Sequence, residues 1–237
     1  MALLWSPGSL LRLPSRCRVC HAWPSQGLCE PCVTRFGQPH PRCDRCAISV
    51  PDGVPRCGAC LKNPPPMDAS VAAVDYTYPW SALIRQFKFR AEPGLATQLA
   101  RMMASAPWAE PALEAADLVL PVPLSPRRLR ERGFNQAWLL ARALAPRKAD
   151  ARLLLRWQDS PAQATLSREE RMRSLERAFA LEPLRRFNGS GQRVVLVDDV
   201  MTSGATLGCA AAVLRQAGVA HITALVLART PLPGSTT

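Results

Sequence analysis

Two kinds of apolar pattern alternate from residue 67 onward. Short unbroken runs at residues 71–78, 118–120, 194–197 and 221–228 are rich in Val, Leu and Ile and read as buried strands. Between them, residues 79–88, 96–104, 135–144 and 207–216 space their apolar positions as one face of a helix does. Gly218 marks the stop of the last of these helices. Strand and helix in alternation predict an α/β fold, a parallel sheet with helices on both faces. Before Met67 no such period exists, and the prolines at 64–66 mark a stiff linker. The expected organisation is therefore an N-terminal segment and Cys-rich domain at 1–62, followed by the α/β domain at 67–237.

The run 194–197 ends in Asp198 and Asp199, followed by Val200, Met201 and a small, hydroxyl-rich turn of Thr202, Ser203, Gly204, Ala205 and Thr206. Ligands of open α/β sheets bind at the carboxyl ends of strands. The N-terminus of the following helix offers unpaired N–H groups and partial positive charge, which suits a phosphate. Gly204 lets the backbone approach the anion, and the hydroxyls add donors. Asp198 and Asp199 can only accept hydrogen bonds or help hold a cation, so vicinal ribose hydroxyls would satisfy them. A strand end that recognises a sugar diol and a phosphate together describes a ribose-5-phosphate site. Two readings compete: a receiver-type acidic pocket, and an ordinary strand end with two solvated aspartates. A receiver would carry its acids near the start of its domain and has no need of the hydroxyl-rich turn.

A pyrophosphate partner loop follows the strand at 118–120, where Pro121, Val122 and Pro123 freeze a turn on the same sheet edge. Arg127, Arg128, Arg130 and Arg132 come next, with Arg132 the strongest candidate for a polyanion. Any one of them alone reads as a solvated basic face before a helix, and the cluster as a whole, beside a phosphate site, as a polyanion contact. Trp80, Phe87 and Phe89 interleave with Arg85, Lys88 and Arg90, a mixture compatible with single-stranded nucleic acid or with ordinary packing on the sheet.

Composition changes the picture in two ways. The chain has 237 residues, 23 of them proline, and a formal charge of +12, which favours a polyanionic partner. Lys62, Lys88 and Lys148 are the only lysines among its 30 basic residues. No stretch is long and apolar enough to span a membrane. The start, broken by Pro7 and Gly8 with no charge before Arg12, makes a poor signal peptide and reads as a short docking segment. A cytoplasmic location is expected.

Eight of nine cysteines form four C-x-x-C pairs: Cys17/Cys20, Cys29/Cys32, Cys43/Cys46 and Cys57/Cys60. In a reducing compartment they read as two tetrahedral Zn²⁺ sites, since two thiolates three positions apart on a tight turn reach one ion. The spacers after Cys20 and Cys46 both carry Pro and Gly, as a duplicated ribbon would, giving sites 17/20/29/32 and 43/46/57/60. A cross-braced pairing, 17/20 with 43/46 and 29/32 with 57/60, is the alternative. His21 and His40 are spare donors, and Cys209 reads as a buried helix residue.

The segment 194–206 resembles the phosphoribosyl-pyrophosphate (PRPP) motif of type I phosphoribosyltransferases. Adding the cysteine ribbons, the loop 121–124, the run from Arg132 to Gln136 and their order, the chain is similar to the ComF family, ComFC-like competence proteins, from about Cys17 to Arg229. The resemblance implies a type I phosphoribosyltransferase-like sheet behind a double zinc ribbon. It implies PRPP bound with Mg²⁺ by Pro121, Val122, Pro123, Arg132, Asp198, Asp199 and residues 201–206. It also implies a role with incoming single-stranded DNA in natural transformation, beside other competence-machinery proteins. A mobile loop at 156–177, containing Gln163 and Leu166, would cover the site. Ser174 to Ala178 lack the Asn that many relatives place before the Ala-Phe pair, and Ser203 stands for a more usual Thr. Catalytic residues are not assigned. A transferase acting on a base or amine, and a PRPP-sensing regulator, are the other functions weighed.

Overall fold

The structure, a computed structural model, describes residues 14–25, 27–89, 92–157 and 178–232. Its elements are α1 (Glu30–Phe36), α2 (Gly58–Lys62), β1 (Ala69–Asp75), α3 (Trp80–Phe89), a 3₁₀ turn (Pro93–Leu95), α4 (Ala96–Ala104), α5 (Ala109–Ala115), β2 (Leu118–Pro121), α6 (Pro126–Arg132), α7 (Gln136–Leu144), β3 (Leu154–Arg156), β4 (Phe179–Leu181), β5 (Arg193–Met201), α8 (Ala205–Gln216) and β6 (His221–Arg229). The expected mobile loop, from residue 158 on, and the N-terminal docking segment through residue 13 lie outside the described residues. No described helix is long and apolar enough to cross a membrane.

Four strands form one parallel sheet in the order β1-β6-β5-β2, and β3 and β4 make a separate antiparallel pair. β5 is hydrogen-bonded on both sides and buried along 194–197, which is why its sequence is continuously apolar. Leu120, Leu196, Ala224 and Val226 pack with Leu207, Ala210 and Leu214 of α8 and with Leu154 and Phe179 of the small sheet. Val195 and Val197 point to the other face, covered by α7, which packs on α4. Helices thus lie on both faces, as the alternating pattern predicts. Two boundaries move by three residues or more. β5 runs on to Met201 because β6 continues alongside it to Arg229, so the two aspartates lie inside the strand as its sixth and seventh residues. β1 stops at Asp75, where the Tyr76 amide crosses to the carbonyl of Arg229 and the chain turns into α3.

By compactness the chain divides into Met1–Gln38 and Pro39–Thr237. The composition boundary between 62 and 67 is therefore not where the contacts divide, and the second cysteine ribbon shares a unit with the α/β body. The reason is a set of specific ties. Arg42 Nη1 donates to Asp75 Oδ1 at 2.9 Å, and Arg45 Nη1 to the carbonyl of Met67 at 2.9 Å. Ser70 Oγ donates to the carbonyl of Arg45 at 2.7 Å, and Ala47 is fully buried in the main core.

Asp68 is the other stitch. Its Oδ2 accepts the Ile222 amide at 2.7 Å and a short bond from Arg215 of α8, while Arg45 stands 3.7 Å from Oδ1. Partial burial pushes this carboxyl up, but the Ile222 amide and Arg215 outweigh it and hold it below its ordinary value. A lowered folded value adds stability that is present above the unfolded value near 3.9 and is lost as pH falls through the folded one. Asp68→Asn is expected to cost about 1–2 kcal/mol at pH 7, or roughly 2–4 °C of Tm per kcal/mol. Thermal melts at pH 7 and pH 3 check this, and a Tm deficit that persists undiminished at pH 3 refutes it.

Candidate functional site

Side chains alternate along β5, so Asp198 lies on the face of Leu196 and α8, and Asp199 on the face of α7. Asp199 is buried, and its Oδ1 stands 2.9 Å from Lys88 Nζ at the end of α3. Asp198 Oδ1 accepts the amide of Asp199 at 2.8 Å. Burial, and then the neighbouring Asp199 carboxylate, push Asp198 up to about 7, against the opposing pull of Lys88, the Asp199 amide and Arg156. The strand end thus carries one carboxylate with a fixed cation and one near the midpoint of its titration at neutral pH.

The turn into α8 is built for close backbone approach. Gly204 is the N-cap at φ +80°, a left-handed conformation that strains any residue with a Cβ. α8 spans 12 residues with no side-chain cap and no acid in its first turn. Ser203 Oγ accepts the Ala205 amide at 3.3 Å. Amides of the first turn have no intrahelical acceptor and carry the positive end of the helix dipole. Thr202 and Ser203 are exposed beside them.

β2 delivers the second loop to the same edge. Pro121 sits opposite Val197, and the Val122 amide donates to the carbonyl of Val197 at 2.8 Å. Asn135 Nδ2 donates to the carbonyl of Val122 at 3.1 Å, while its Oδ1 accepts the Trp138 amide and caps α7. Gly133 closes α6 at φ +78°. The run from Arg132 to Gln136 is therefore a helix-to-helix joint that fastens the 121–123 loop. Buried Gln136 accepts from Arg132 Nη1 at 3.1 Å, and its Nε2 donates to the carbonyl of Lys88 at 3.5 Å. Arg132 also lies over the Phe89 ring, 5.3 Å from its centroid. One path thus runs Asp199, Lys88, Gln136, Arg132. Arg127, by contrast, pairs with Glu131 on an exposed helix face. A cavity of about 610 Å³ adjoins the loop, lined among others by Pro123, Phe134, Trp138, Arg156 and Trp157.

Sequence reasoning missed Lys88 as the partner of Asp199 and Arg229 as a donor to the turn; both depend on contacts far apart in the chain. The usable signal for Lys88 was its being one of three lysines in an arginine-rich chain. The suggested aromatic platform divides: Trp80 and Phe87 are core, and only Phe89 is exposed. Cys209 is buried in α8, as expected.

The cysteines gather in sequence order, Cys17/Cys20/Cys29/Cys32 and Cys43/Cys46/Cys57/Cys60, each set with its sulfurs within 4.8 Å of one another. The two loops repeat one plan. Cys29 and Cys57 each donate an amide to the first sulfur of their set at 3.4 Å, and each N-caps a short helix. The residue after the knuckle, His21 or Ala47, is left-handed at φ 61° or 55°. A tetrahedral zinc about 2.3 Å from each sulfur sets the sulfurs about 3.8 Å apart; Cys20–Cys29 at 3.5 Å and Cys46–Cys57 at 3.7 Å fit it. His40 instead faces Ser49 and Asp75.

Residues 139–233 match the family model described as phosphoribosyl transferase domain. The chain is 33% identical over 231 residues to "DNA utilization protein YhgH" of Salmonella typhimurium, covering 93% of this chain and 100% of that one. It is 33% identical over 219 residues to "Competence protein F" of Haemophilus influenzae, covering 86% and 90%. To "Competence protein ComFC" of Bacillus subtilis it is 33% identical over 110 residues, 44% of this chain and 40% of that one.

Because its folded value is raised, Asp198 keeps a proton that the unfolded chain has already released, so its cost to stability grows as pH rises from about 4 to about 7. Asp198→Asn retains an acceptor for the Asp199 amide and removes that cost. It is expected to raise Tm at pH 8, by about 2–4 °C per kcal/mol recovered, with no gain at pH 4. Paired thermal melts decide; no gain at pH 8 would contradict the assignment.

Proposed function

We propose that this chain, which belongs to the ComF family of competence and DNA utilization proteins with a phosphoribosyl transferase domain, binds PRPP with Mg²⁺ at the carboxyl edge of its sheet. The observation that carries this reading is the glycine-led N-terminus of α8 directly after a strand end holding two carboxylates. The 5-phosphate takes the amides and hydroxyls of residues 202–206, and the ribose hydroxyls donate to Asp198 and Asp199. Loop 121–123 and Arg132 face the pyrophosphate, and Lys88 stands against Asp199 at 2.9 Å. Zinc in the two cysteine sets supplies structural cross-links. The DNA-handling role of the relatives agrees with a net charge of +12, and with work on single-stranded DNA in the cytoplasm during transformation.

A specific observation favours turnover as a second reading. The cavity lined by Phe134, Trp138 and Trp157 adjoins the 121–123 loop and offers a planar acceptor an apolar, aromatic wall. Catalysis there would rest on positioning and on neutralising the departing pyrophosphate.

Isothermal titration of PRPP with Mg²⁺ into the wild type and into Asp198→Asn/Asp199→Asn tests the first reading. Binding is expected to weaken at least about 100-fold, some 2.7 kcal/mol, in the double variant. Equal affinity in both proteins refutes it. Anisotropy titrations with a labelled oligonucleotide at two salt concentrations test the DNA role, which fails without salt-dependent binding.

A further inference from the structure

Arg229 ends β6, opposite Met201 on one side and Asp75 on the other. It is 7% exposed. Its Nη1 donates to the carbonyls of Met201 at 3.1 Å and Thr230 at 2.9 Å, and makes a short bond to that of Thr202. Its Nε donates to the carbonyl of Cys46 at 2.8 Å. Every one of these acceptors is a backbone carbonyl. An apolar residue could fill the same space without the cost of burying a cation, so the guanidinium is kept for what it holds in place.

What it holds are two parts of this unit far apart in sequence. Cys46 supplies a sulfur to the second cysteine set, and Thr202 is the first residue of the ligand turn. In a planar trans peptide C=O and N–H point in opposite directions. Fixing the Thr202 carbonyl on Arg229 therefore turns the Ser203 amide away from it, in an exposed turn. The Cys46 carbonyl is in turn held by its own knuckle, where Ala47 is left-handed, fully buried and donates its amide to the carbonyl of Cys43 at 2.8 Å. Metal at this set closes that knuckle through four sulfurs.

We infer that Arg229 is a positioning residue that fixes the amides of the 202–206 turn against the second zinc knuckle, so that metal in the Cys43/Cys46/Cys57/Cys60 set governs the order and the anion affinity of the turn. The affinity clause rests on the phosphoribosyl reading above; the order of the turn does not.

Backbone ¹⁵N order parameters of the unliganded full chain test the coupling. Emptying the second set by Cys57→Ser/Cys60→Ser is expected to lower them at residues 202–206 from about 0.85 to below about 0.6, while β2 and α7 stay unchanged. Arg229→Lys keeps the charge but loses the fork that reaches both carbonyls. It is expected to lower the same values equally while retaining the zinc content of the wild type, measured by release to a colorimetric chelator. Combining the changes should add nothing further. Unchanged order parameters at 202–206 in Arg229→Lys, or fully additive effects, overturn the inference. Should the cysteine variant loosen β2 and α7 as well, Arg229→Lys with its zinc retained decides alone. PRPP affinity should fall about tenfold in Arg229→Lys. A wild type that binds no PRPP would refute the phosphoribosyl reading, and the order parameters would still decide the coupling.

Discussion

The ion pair between Lys88 and Asp199 is the constraint around which the site is arranged. Both groups are largely buried, 17% and 7% exposed, where the desolvation cost of an ion pair rivals its attraction. Such a pair is weak evidence of stability, so its value lies in the contacts it fixes. Lys88 cancels one carboxylate, while burial and the neighbouring charge push the other toward neutrality. The strand end then carries far less negative charge than two aspartates suggest, which suits the polyanion proposed for it. The same lysine's carbonyl meets Gln136, and Gln136 holds Arg132. The carboxylates of β5 and the Arg132 guanidinium at the end of α6 are thereby linked through Lys88 of α3 and Gln136 of α7.

Glycine is required in this site by conformation rather than by crowding. A Cβ on Gly204 would lie 3.7 Å from Met201 Sδ, an ordinary contact, so its φ of +80° is the reason for glycine there. At the knuckles the chain accepts His21 and Ala47 in a similar left-handed conformation, where a residue with a Cβ costs about 1–2 kcal/mol. For Ala47 the methyl is fully buried in the main core, which offsets part of that strain. The second ribbon is thus folded into the body as packing, and its separation from the first at Gln38/Pro39 follows from this.

The legibility of the sequence divides along the same physical line. Buried strands of a parallel sheet are apolar throughout, so β2, β5 and β6 stand out, and α4 is found with its observed bounds because its apolar spacing is regular. The cysteine sets are legible because a metal demands ligands at fixed spacing. Hidden were features whose cause lies far away in the chain. β3 and β4 are three residues each and pair across 22 intervening positions. The extension of β5 to Met201 is dictated by β6, and the identity of Asp199's cation by α3. Trp80 and Phe87 belong to the core and Phe89 to the surface. Three aromatics on one helix look alike until the sheet determines which face is covered.

The charge balance yields to the same reasoning. Arg42, Arg56, Arg185 and Arg215 are spent on Asp75, Asp44, Asp150 and Asp68. Each of these pairs removes one charge of either sign, so the net of +12 is carried undiminished by the remaining residues. Arg229 differs, since its bonds beneath the 202–206 turn run to neutral carbonyls. Buried there, it is screened far less by salt than a surface arginine would be. An anion held by the turn should therefore lose little affinity as salt rises, whereas a nucleic acid on the outer surface releases counterions and loses much. The two polyanions proposed for this chain are distinguishable by that slope alone.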